Sequence, residues 1–226
     1  LFSNDEMSIE IINKRLMTLL TGDLNYNNSI PLTFPQYFSK NYYESSNLNQ
    51  GAYIDVGAFN GDTIFDYIKY FGQQNRKILA FEPDENNFKQ LSDVVKSSNL
   101  KNIELFKAAV GACSGKVSFS QNGNMGSHIV DKDNSSDLVD VFSLSDFIKD
   151  KPSFIKMDIE GAELDALKGA EELIKLLKPN LAICLYHKPF DLFQIPAYLH
   201  RLVPEYKFKL RQHKRAFSEL VLYASC

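Results

Sequence analysis

The sequence predicts an α/β fold whose core is a mostly parallel sheet with helices on both faces. From Ala52 onward, apolar runs of strand length alternate with stretches in which apolar residues recur at helical spacing. Such alternation is typical of parallel sheets, in which a helix follows each strand. The last two apolar runs follow each other without a helix between them, so we expect these two strands to pair antiparallel.

Each predicted strand is a short apolar run. In chain order the predicted strands are Ala52–Val56, Lys77–Phe81, Ile103–Val110, Lys116–Ser120, Leu138–Phe142, Ser153–Met157, Leu181–Tyr186, Tyr206–Leu210 and Glu219–Ala224. Each predicted helix carries one apolar stripe with a period of about 3.6 residues. The helices are expected at Asp62–Phe71, Asp84–Ser98 and Ala162–Leu177, with a further one marked by Leu192 to Leu202.

The first 50 residues differ in composition and are predicted to be a separate lead-in, residues 1–50, before a main domain at residues 51–226. Ile9, Ile12 and Leu16 recur at helical spacing, and the stretch after Gly22 is rich in Asn, Ser, Tyr and Pro. Two placements are open for this segment. It covers an exposed edge of the sheet, or it lies over a ligand cleft.

Composition and charge exclude several classes of protein. The chain has 226 residues, of which 44% are hydrophobic and 23% charged, so an ordered globular core is expected. The net charge of −3 provides no general basic field for nucleic acid or an anionic membrane, and no apolar run is long enough to span a bilayer. The three cysteines fit neither a disulfide framework nor a zinc cluster, which predicts a reducing, cytoplasmic location.

A glycine-containing turn follows the first predicted strand, in the run DVGAFNGDT that begins at Asp55. Gly57 and Gly61 let the backbone turn sharply and approach a ligand, and the following helix offers unpaired N–H groups. In open parallel sheets, ligands bind beyond the carboxyl ends of the strands near such a turn. The acidic Asp55 and Asp62 suit a positively charged ligand better than a pyrophosphate. A purely structural turn capped by Asp62 is the alternative.

Glu82-Pro83 ends the second predicted strand. A carboxylate there accepts hydrogen bonds from the ribose hydroxyls of an adenosyl group, as in dinucleotide-binding folds. Because Glu82 would serve NAD equally well, a nicotinamide-dependent dehydrogenase is the first alternative. Against it, the sequence has neither the Gly-x-Gly-x-x-Gly turn nor the Tyr-x-x-x-Lys pair of such enzymes.

These two motifs together resemble those of class I S-adenosylmethionine (SAM)-dependent methyltransferases. Further runs resemble the FkbM family of these enzymes: FEPDENNF, FIKMDIEGAELDALKGA, LAICLYHKPFDLFQIP, YKFKLRQH and ELVLYA. The resemblance extends from Tyr53 to Ala224. It implies a Rossmann-like, mostly parallel seven-stranded sheet with an antiparallel last strand, and O-methylation of a sugar or another hydroxylated molecule. The run LRQH departs from the Leu-Arg-His-aromatic form expected of close relatives, so no role is inferred for Gln212 or His213.

Carried over residue by residue, the resemblance implies a SAM site at one edge of the sheet. The methionine part and the sulfonium would be held by Asp55, Gly57, Ala58, Phe59, Asn60, Gly61, Asp62 and Thr63. Glu82 would hold the ribose, with Pro83 beside it, and Ala109 and Val110 would flank the adenine. The alternative for Ala109 and Val110 is a strand end packed in the core.

The same resemblance implies catalytic roles for Asp158, Glu160 and His187. Asp158 would lie near the transferred methyl group and therefore also near the cofactor, and His187 would take the proton of the acceptor hydroxyl. Helix capping by the two carboxylates and a structural role for His187 are the alternatives. Asp158 and Glu160 could also supply part of a divalent-cation site, and whether a metal is required is left open. The loop Gln121–His128 is expected to lie above the acceptor.

The predicted partner is therefore a small hydroxylated acceptor, such as a sugar or glycan, and neither nucleic acid nor a membrane is expected. Oligomeric assembly is left open. A nucleic-acid methyltransferase is disfavoured because the Asp/Asn-Pro-Pro-aromatic and Pro-Cys motifs are missing from the sequence. A non-catalytic module with the same fold remains the alternative from another functional class.

Overall fold

The computed structural model describes residues 1–2, 4–43, 51–72, 76–120, 128–129, 137–215 and 217–226. The helices are α1 Glu6–Thr21, α2 Leu24–Asn28, α3 Asp62–Phe71, α4 Glu85–Ser97, α5 Leu144–Phe147, α6 Glu163–Gly169, α7 Glu171–Leu177 and α8 Asp191–Leu202, with a 3-10 helix at Lys40–Tyr42. The strands are β1 Ala52–Val56, β2 Ile78–Phe81, β3 Ile103–Phe106, β4 Ala109–Val110, β5 Gly115–Ser120, β6 His128–Ile129, β7 Asp137–Phe142, β8 Pro152–Met157, β9 Asn180–Cys184, β10 Lys207–Gln212 and β11 Leu220–Ser225. Among the described helices, none is both long enough and apolar enough to cross a membrane.

The chain forms two compact units. The first consists of Leu1–Ser45 together with Asn180–Cys226, and the second of Ser46–Pro179. The N-terminal segment thus shares a unit with the last strands of the chain. The division at residue 50 into a lead-in and a main domain stays a prediction.

Four parallel strands in the order β8-β1-β2-β3 form the centre of the second unit. Every residue of β1, β2 and β8 is buried. Because successive side chains of a strand point to opposite faces, this burial means that both faces of these strands are covered. Helices α3 and α4 connect β1 to β2 and β2 to β3, as the sequence pattern predicts.

The parallel strands of this unit end at one level. Val56 at the end of β1 is in register with Phe81 of β2 and with Met157 of β8, and Phe81 is in register with Phe106 of β3. The segments that follow these residues therefore leave the sheet side by side at its carboxyl edge.

A second sheet in the same unit has the order β4-β7-β5-β6. The predicted single strand Ile103–Val110 is wrong in its extent, because the chain breaks after Phe106 and continues as β4 in this second sheet. Ala109 pairs with Val141 of β7, and both are buried in a small apolar cluster with Val139. Burial of these side chains against β7 explains why β4 does not extend β3.

The helix predicted over Ala162–Leu177 is divided into α6 and α7, which meet at Ala170. A Cβ at Gly169 would lie 1.9 Å from the carbonyl oxygen of Gly111. The carbonyl oxygen of Gly169 accepts a hydrogen bond from the Ser143 hydroxyl at 2.9 Å. The close approach of Gly111 and the bond from Ser143 together account for the break.

In the first unit the strands have the order β9-β11-β10, and β11 is antiparallel to both neighbours. The predicted antiparallel pair at the end of the chain is confirmed, and its apolar members Phe208, Leu210, Leu220 and Leu222 are at most 4% exposed. The predicted α/β fold class, a mostly parallel seven-stranded sheet with an antiparallel last strand, is likewise confirmed.

The N-terminal segment covers β10, the outermost of these three strands. The amide of Leu210 donates a hydrogen bond to the Ser8 hydroxyl oxygen of α1 at 2.7 Å. Leu32 forms a parallel bridge with Gln212, and the amide of Thr33 donates to the Gln212 carbonyl oxygen at 2.9 Å. Since an uncovered edge presents unpaired backbone groups, these contacts protect β10 from pairing with another chain.

Candidate functional site

Three loops of the second unit leave the sheet at the same carboxyl edge. They begin at Gly57 after β1, at Glu82 after β2 and at Asp158 after β8, whose ends are level. This is the edge at which open parallel sheets bind ligands. The predicted cofactor turn, the predicted ribose acceptor and one predicted catalytic carboxylate are therefore brought together at one edge of a single unit.

The turn after β1 is held against the end of β2. The amides of Gly57 and Ala58 both donate to the carbonyl oxygen of Phe81 at 3.0 Å. Gly57 has a φ of 80°, and a Cβ at this position would lie 2.0 Å from the carbonyl oxygen of Asp158. Glycine is required here because the backbone is left-handed and the neighbouring loop leaves no room for a side chain.

The end of the turn becomes the start of α3. The amide of Gly61 donates to the Ala58 carbonyl oxygen at 2.8 Å. Asn60 Oδ1 accepts a hydrogen bond from the Asp62 amide at 3.2 Å, and Asp62 Oδ1 accepts one from the Thr63 amide at 2.7 Å. Two amides that a helix start leaves without intrahelical partners are therefore bonded to side chains of the turn itself.

Glu82 lies beside this turn with its carboxylate buried, since the residue is 6% exposed. Its Oε2 accepts a hydrogen bond from the Phe59 amide and its Oε1 accepts one from the Asp84 amide, both at 2.9 Å. Burial raises the pKa of Glu82 to about 7, although the two amide bonds favour the charged form. Because each carboxylate oxygen can accept a second hydrogen bond, Glu82 is suited to the paired hydroxyls of a ribose.

Asp55 is fully buried and paired within the chain. The Thr63 hydroxyl donates to its Oδ2, and the Lys156 Nζ lies 3.2 Å from its Oδ1. Burial raises the pKa of Asp55, and the cation of Lys156 opposes that rise. The sequence suggests Asp55 as a partner for a positively charged ligand, but the cation that it contacts here is a lysine of its own chain.

The loop after β8 carries the two predicted catalytic carboxylates, which are half-buried. The Asp158 amide donates to the Val56 carbonyl oxygen at 3.1 Å, so the loop starts in contact with the end of β1. Glu160 has a φ of 54°, which is uncommon for a residue other than glycine. Helix α6 starts after Ala162, an N-cap residue that makes no side-chain hydrogen bond, and helix capping by Asp158 or Glu160 stays the alternative to their catalytic roles.

Glu163, in the first turn of α6, holds this loop through a hydrogen bond. The residue is fully buried, and its Oε1 accepts a hydrogen bond from the Ile159 amide at 2.9 Å. A carboxylate oxygen of Glu163 lies within 4.8 Å of one of Asp158. The loop is therefore anchored by a buried carboxylate next to the predicted catalytic one.

The remaining predicted cofactor residues of this unit lie in β4 and after Glu82. Ala109 and Val110 are 6% and 2% exposed, so their side chains pack in the core as the alternative reading of this segment predicts. Pro83 is half-buried between Glu82 and the start of α4. The assignment of these residues to the adenine and ribose stays a prediction.

His187 belongs to the first unit, where it follows β9 and is half-buried with its ring centroid 4.1 Å from that of Tyr186. Its role as a base stays a prediction. His213 of the same unit lies between the Thr33 carbonyl oxygen at 2.6 Å and the Tyr223 hydroxyl at 2.7 Å, and burial lowers its pKa to about 4. These contacts make His213 a structural residue.

The loop Gln121–His128, predicted to lie above the acceptor, falls outside the described residues except for its last residue, which begins β6.

Two buried charged residues near the carboxyl edge were missed by sequence reasoning. Lys156 stands inside the apolar strand β8, and Glu163 stands four residues beyond Ile159 in the first turn of a helix. A signal for Lys156 exists, because a lysine in a strand that is buried on both faces requires a paired acceptor. Its partner follows only from the register of β8 on β1, which the sequence does not state.

The strand arrangement, the glycine turn after β1 and the buried carboxylate after β2 define the class I methyltransferase fold. The family model described as the methyltransferase FkbM domain matches residues 55–210. The chain therefore belongs to the FkbM methyltransferase family, and the resemblance seen in its sequence motifs is confirmed.

Solved structures share the fold of this chain. The crystal structure of methyltransferase FkbM from Methylobacillus flagellatus KT is similar with a TM-score of 0.80 and 28% identity, covering 99% of this chain and 56% of that one. This chain thus spans little more than half of that protein. A putative rRNA methylase from Clostridium thermocellum shares the fold with a TM-score of 0.51 and 10% identity, over 85% of this chain and 96% of that one. No curated protein matches the chain.

Proposed function

We propose that this chain is a SAM-dependent methyltransferase that methylates a hydroxyl oxygen of a sugar or another hydroxylated small molecule. The observation that carries the proposal is the hydrogen bond from the Phe59 amide to the buried Glu82 carboxylate, which joins the glycine turn to the predicted ribose acceptor. Membership of the FkbM family supports methyl transfer. The choice of a hydroxylated acceptor rests on the family resemblance.

The residues at the carboxyl edge fit an adenosyl cofactor. Gly57 and Gly61 let the turn adopt left-handed backbone, with φ values of 80° and 91°, and the helix that starts at Asp62 directs its N-terminal end toward the turn. Glu82 would accept the two ribose hydroxyls, and Ala109 and Val110 are the proposed neighbours of the adenine. When bound, SAM supplies an electrophilic methyl group on a positively charged sulfur.

The proposed catalytic role of the residues of this chain is largely to orient the acceptor. Holding the acceptor oxygen in line with the transferred methyl group at near-attack distance can supply much of an enzyme's rate acceleration. Asp158 and Glu160 are the proposed residues that orient the acceptor hydroxyl. His187 is the proposed general base, whose imidazole nitrogen would take the hydroxyl proton and contribute roughly 10²–10⁴-fold.

A divalent cation is the alternative means of acidifying the acceptor hydroxyl. Carboxylate oxygens are the ligands that Mg²⁺ prefers. Asp158 and Glu160 are the predicted ligands, and Glu163 adds an oxygen within 4.8 Å of one of Asp158. This alternative and the histidine base differ in their response to a chelator, as described below.

We also propose a cytoplasmic location and a partner that is not a nucleic acid. The first is supported by Cys113, Cys184 and Cys226, which form no disulfide in the described part of the chain. The second is supported by the net charge of −3.

The test is methyl transfer from SAM labelled in its methyl group to a matched panel of acceptors. The panel contains free monosaccharides and oligosaccharides together with the deoxy, amino and thio analogues of each. We expect label in hydroxylated members and loss of label when the target hydroxyl is replaced by hydrogen. Transfer to amino or thio analogues alone would contradict the choice of oxygen. Binding of S-adenosylhomocysteine (SAH) without transfer to any member would favour a non-catalytic module.

A further inference from the structure

Lys156 is buried at a place where a charge is costly. The residue is 2% exposed and lies in β8 directly opposite Asp55 of β1, which is 0% exposed. Two charges removed from water lose hydration that their mutual attraction only partly restores, so an apolar pair of similar size would be about as stable. The stability of the sheet alone therefore gives no reason for an ion pair at this position.

The contacts of Lys156 extend beyond the ion pair to the turn after β1. Its Nζ donates a hydrogen bond to the carbonyl oxygen of Gly57 at 2.6 Å, in addition to lying 3.2 Å from Asp55 Oδ1. The other oxygen of Asp55 accepts the hydroxyl of Thr63. Gly57 is the first residue of the turn and Thr63 lies in the first turn of α3, directly after it, so this set of bonds ties both ends of the turn to the sheet.

We propose that Lys156, through Asp55, Gly57 and Thr63, is the positioning residue that holds the cofactor turn in its binding conformation. Asp55 then acts on the cofactor through the backbone of the turn, and its charge is balanced by Lys156 rather than by the sulfonium. The assignment rests on the proposed function, because the turn is the proposed SAM site. It adds a role for β8, the strand that also leads to Asp158.

Three variants separate a positioning role from a purely structural one. Lys156→Met leaves a buried, uncompensated carboxylate at Asp55 and should lower the melting temperature. The double variant Asp55→Asn with Lys156→Met has no charge at either of these two positions and should regain most of the lost melting temperature. Lys116→Met is the matched control, because it removes a lysine from the exposed pair with Asp140 in the second sheet.

The decisive readouts are SAH affinity by calorimetry and amide hydrogen exchange over residues 57–63 in the free protein. In the double variant we expect SAH affinity to stay lower by at least about tenfold, since the hydrogen bond from a charged donor to Gly57 is lost. The amides of the turn should exchange faster, while those of β1 and β8 stay protected. The control should match the wild type in both readouts. SAH affinity and exchange that return to wild-type values together with the melting temperature would overturn the proposal.

Two further results keep the test independent of folding and of the proposed function. If the double variant does not fold, Thr63→Val removes the hydroxyl that donates to Asp55 and leaves both charges of the ion pair in place. Faster exchange over residues 57–63 in that variant would support the proposal, and unchanged exchange would overturn it. If the wild type does not bind SAH, the proposed function fails, whereas exchange in the free protein still decides whether Lys156 holds the turn.

Discussion

The amide of Phe59 and the carboxylate of Glu82 are joined by a 2.9 Å hydrogen bond across 23 positions of the chain. Phe59 has a φ of 48°, so the turn adopts a left-handed conformation at the residue that makes this bond. The bond fixes the turn after β1 to the residue after β2. A ligand that contacts both segments would therefore meet a surface that is already assembled.

Replacing Glu82 by Ala should weaken SAH binding by more than about 1.5 kcal/mol, or roughly tenfold, because a charged acceptor is lost. Calorimetric titration measures the effect. Glu85→Ala is the matched control, since Glu85 is an exposed glutamate on the same segment that pairs with Lys107. Equal SAH affinity in Glu82→Ala and the control would contradict the ribose assignment.

The stability of the protein should carry a pH dependence that comes from Glu82. Its pKa is raised from 4.5 to about 7, so between these values the folded protein holds a proton that the unfolded chain releases. This contribution to the free energy of unfolding is therefore fully present below about pH 4.5 and is lost as the pH rises through 7. Denaturant unfolding of wild type and Glu82→Gln at several pH values measures it. We expect a shallower decline in Glu82→Gln, and identical slopes would show that Glu82 does not titrate in this range.

Replacing Gly57 by Ala should destabilise the fold and abolish SAH binding, because the new Cβ would lie 2.0 Å from the Asp158 carbonyl oxygen. Gly22→Ala is a control matched in backbone conformation, since Gly22 has a φ of 72° with nothing within 4 Å of its Cβ position. In the control, the free energy of unfolding should fall only by the roughly 1–2 kcal/mol that a left-handed alanine costs. A loss in Gly57→Ala no larger than in Gly22→Ala would contradict the close approach of the two loops.

Replacing His187 by Ala should lower the rate constant for methyl transfer by roughly 10²–10⁴-fold and leave SAH affinity nearly unchanged, if His187 is the base. The acceptor for this assay is the panel member that takes up label. His200→Ala, which changes an exposed histidine of α8, serves as the control and should keep wild-type turnover. A lower melting temperature with unchanged turnover of the folded protein would instead make His187 structural.

Chelation distinguishes the metal alternative from the histidine base. With His187 as the base, EDTA should leave the turnover of the wild type unchanged. Loss of turnover that Mg²⁺ restores would move the role toward Asp158 and Glu160, and Asp158→Asn should then abolish the response to Mg²⁺.

The strands and the glycine turn were predictable because burial requires local runs of apolar residues and left-handed backbone favours glycine. Apolar runs mark β1, β2 and β8, and Gly57 marks the point where two loops meet. The pairing of Asp55 with Lys156 leaves no such mark, since it depends on the register between strands that are far apart in the chain.

The same reason explains the two errors in element extent. The chain leaves the first sheet after Phe106 because Ala109 packs against β7, and α6 ends at Gly169 because Gly111 approaches it closely. Both breaks are imposed by segments distant in sequence. Local periodicity therefore predicted continuous elements where tertiary contacts divide them.

The central claim is that the carboxyl edge of the second unit binds SAM, and titration of the wild-type chain with SAH and with NAD in parallel tests it most directly. We expect SAH to bind with a stoichiometry of one per chain and NAD to give no heat of binding. The Glu82→Ala substitution should weaken the binding of SAH. Binding of NAD in place of SAH would contradict the account in favour of a dehydrogenase-like site. Binding of neither ligand would contradict it in favour of a module that has kept the fold without the cofactor.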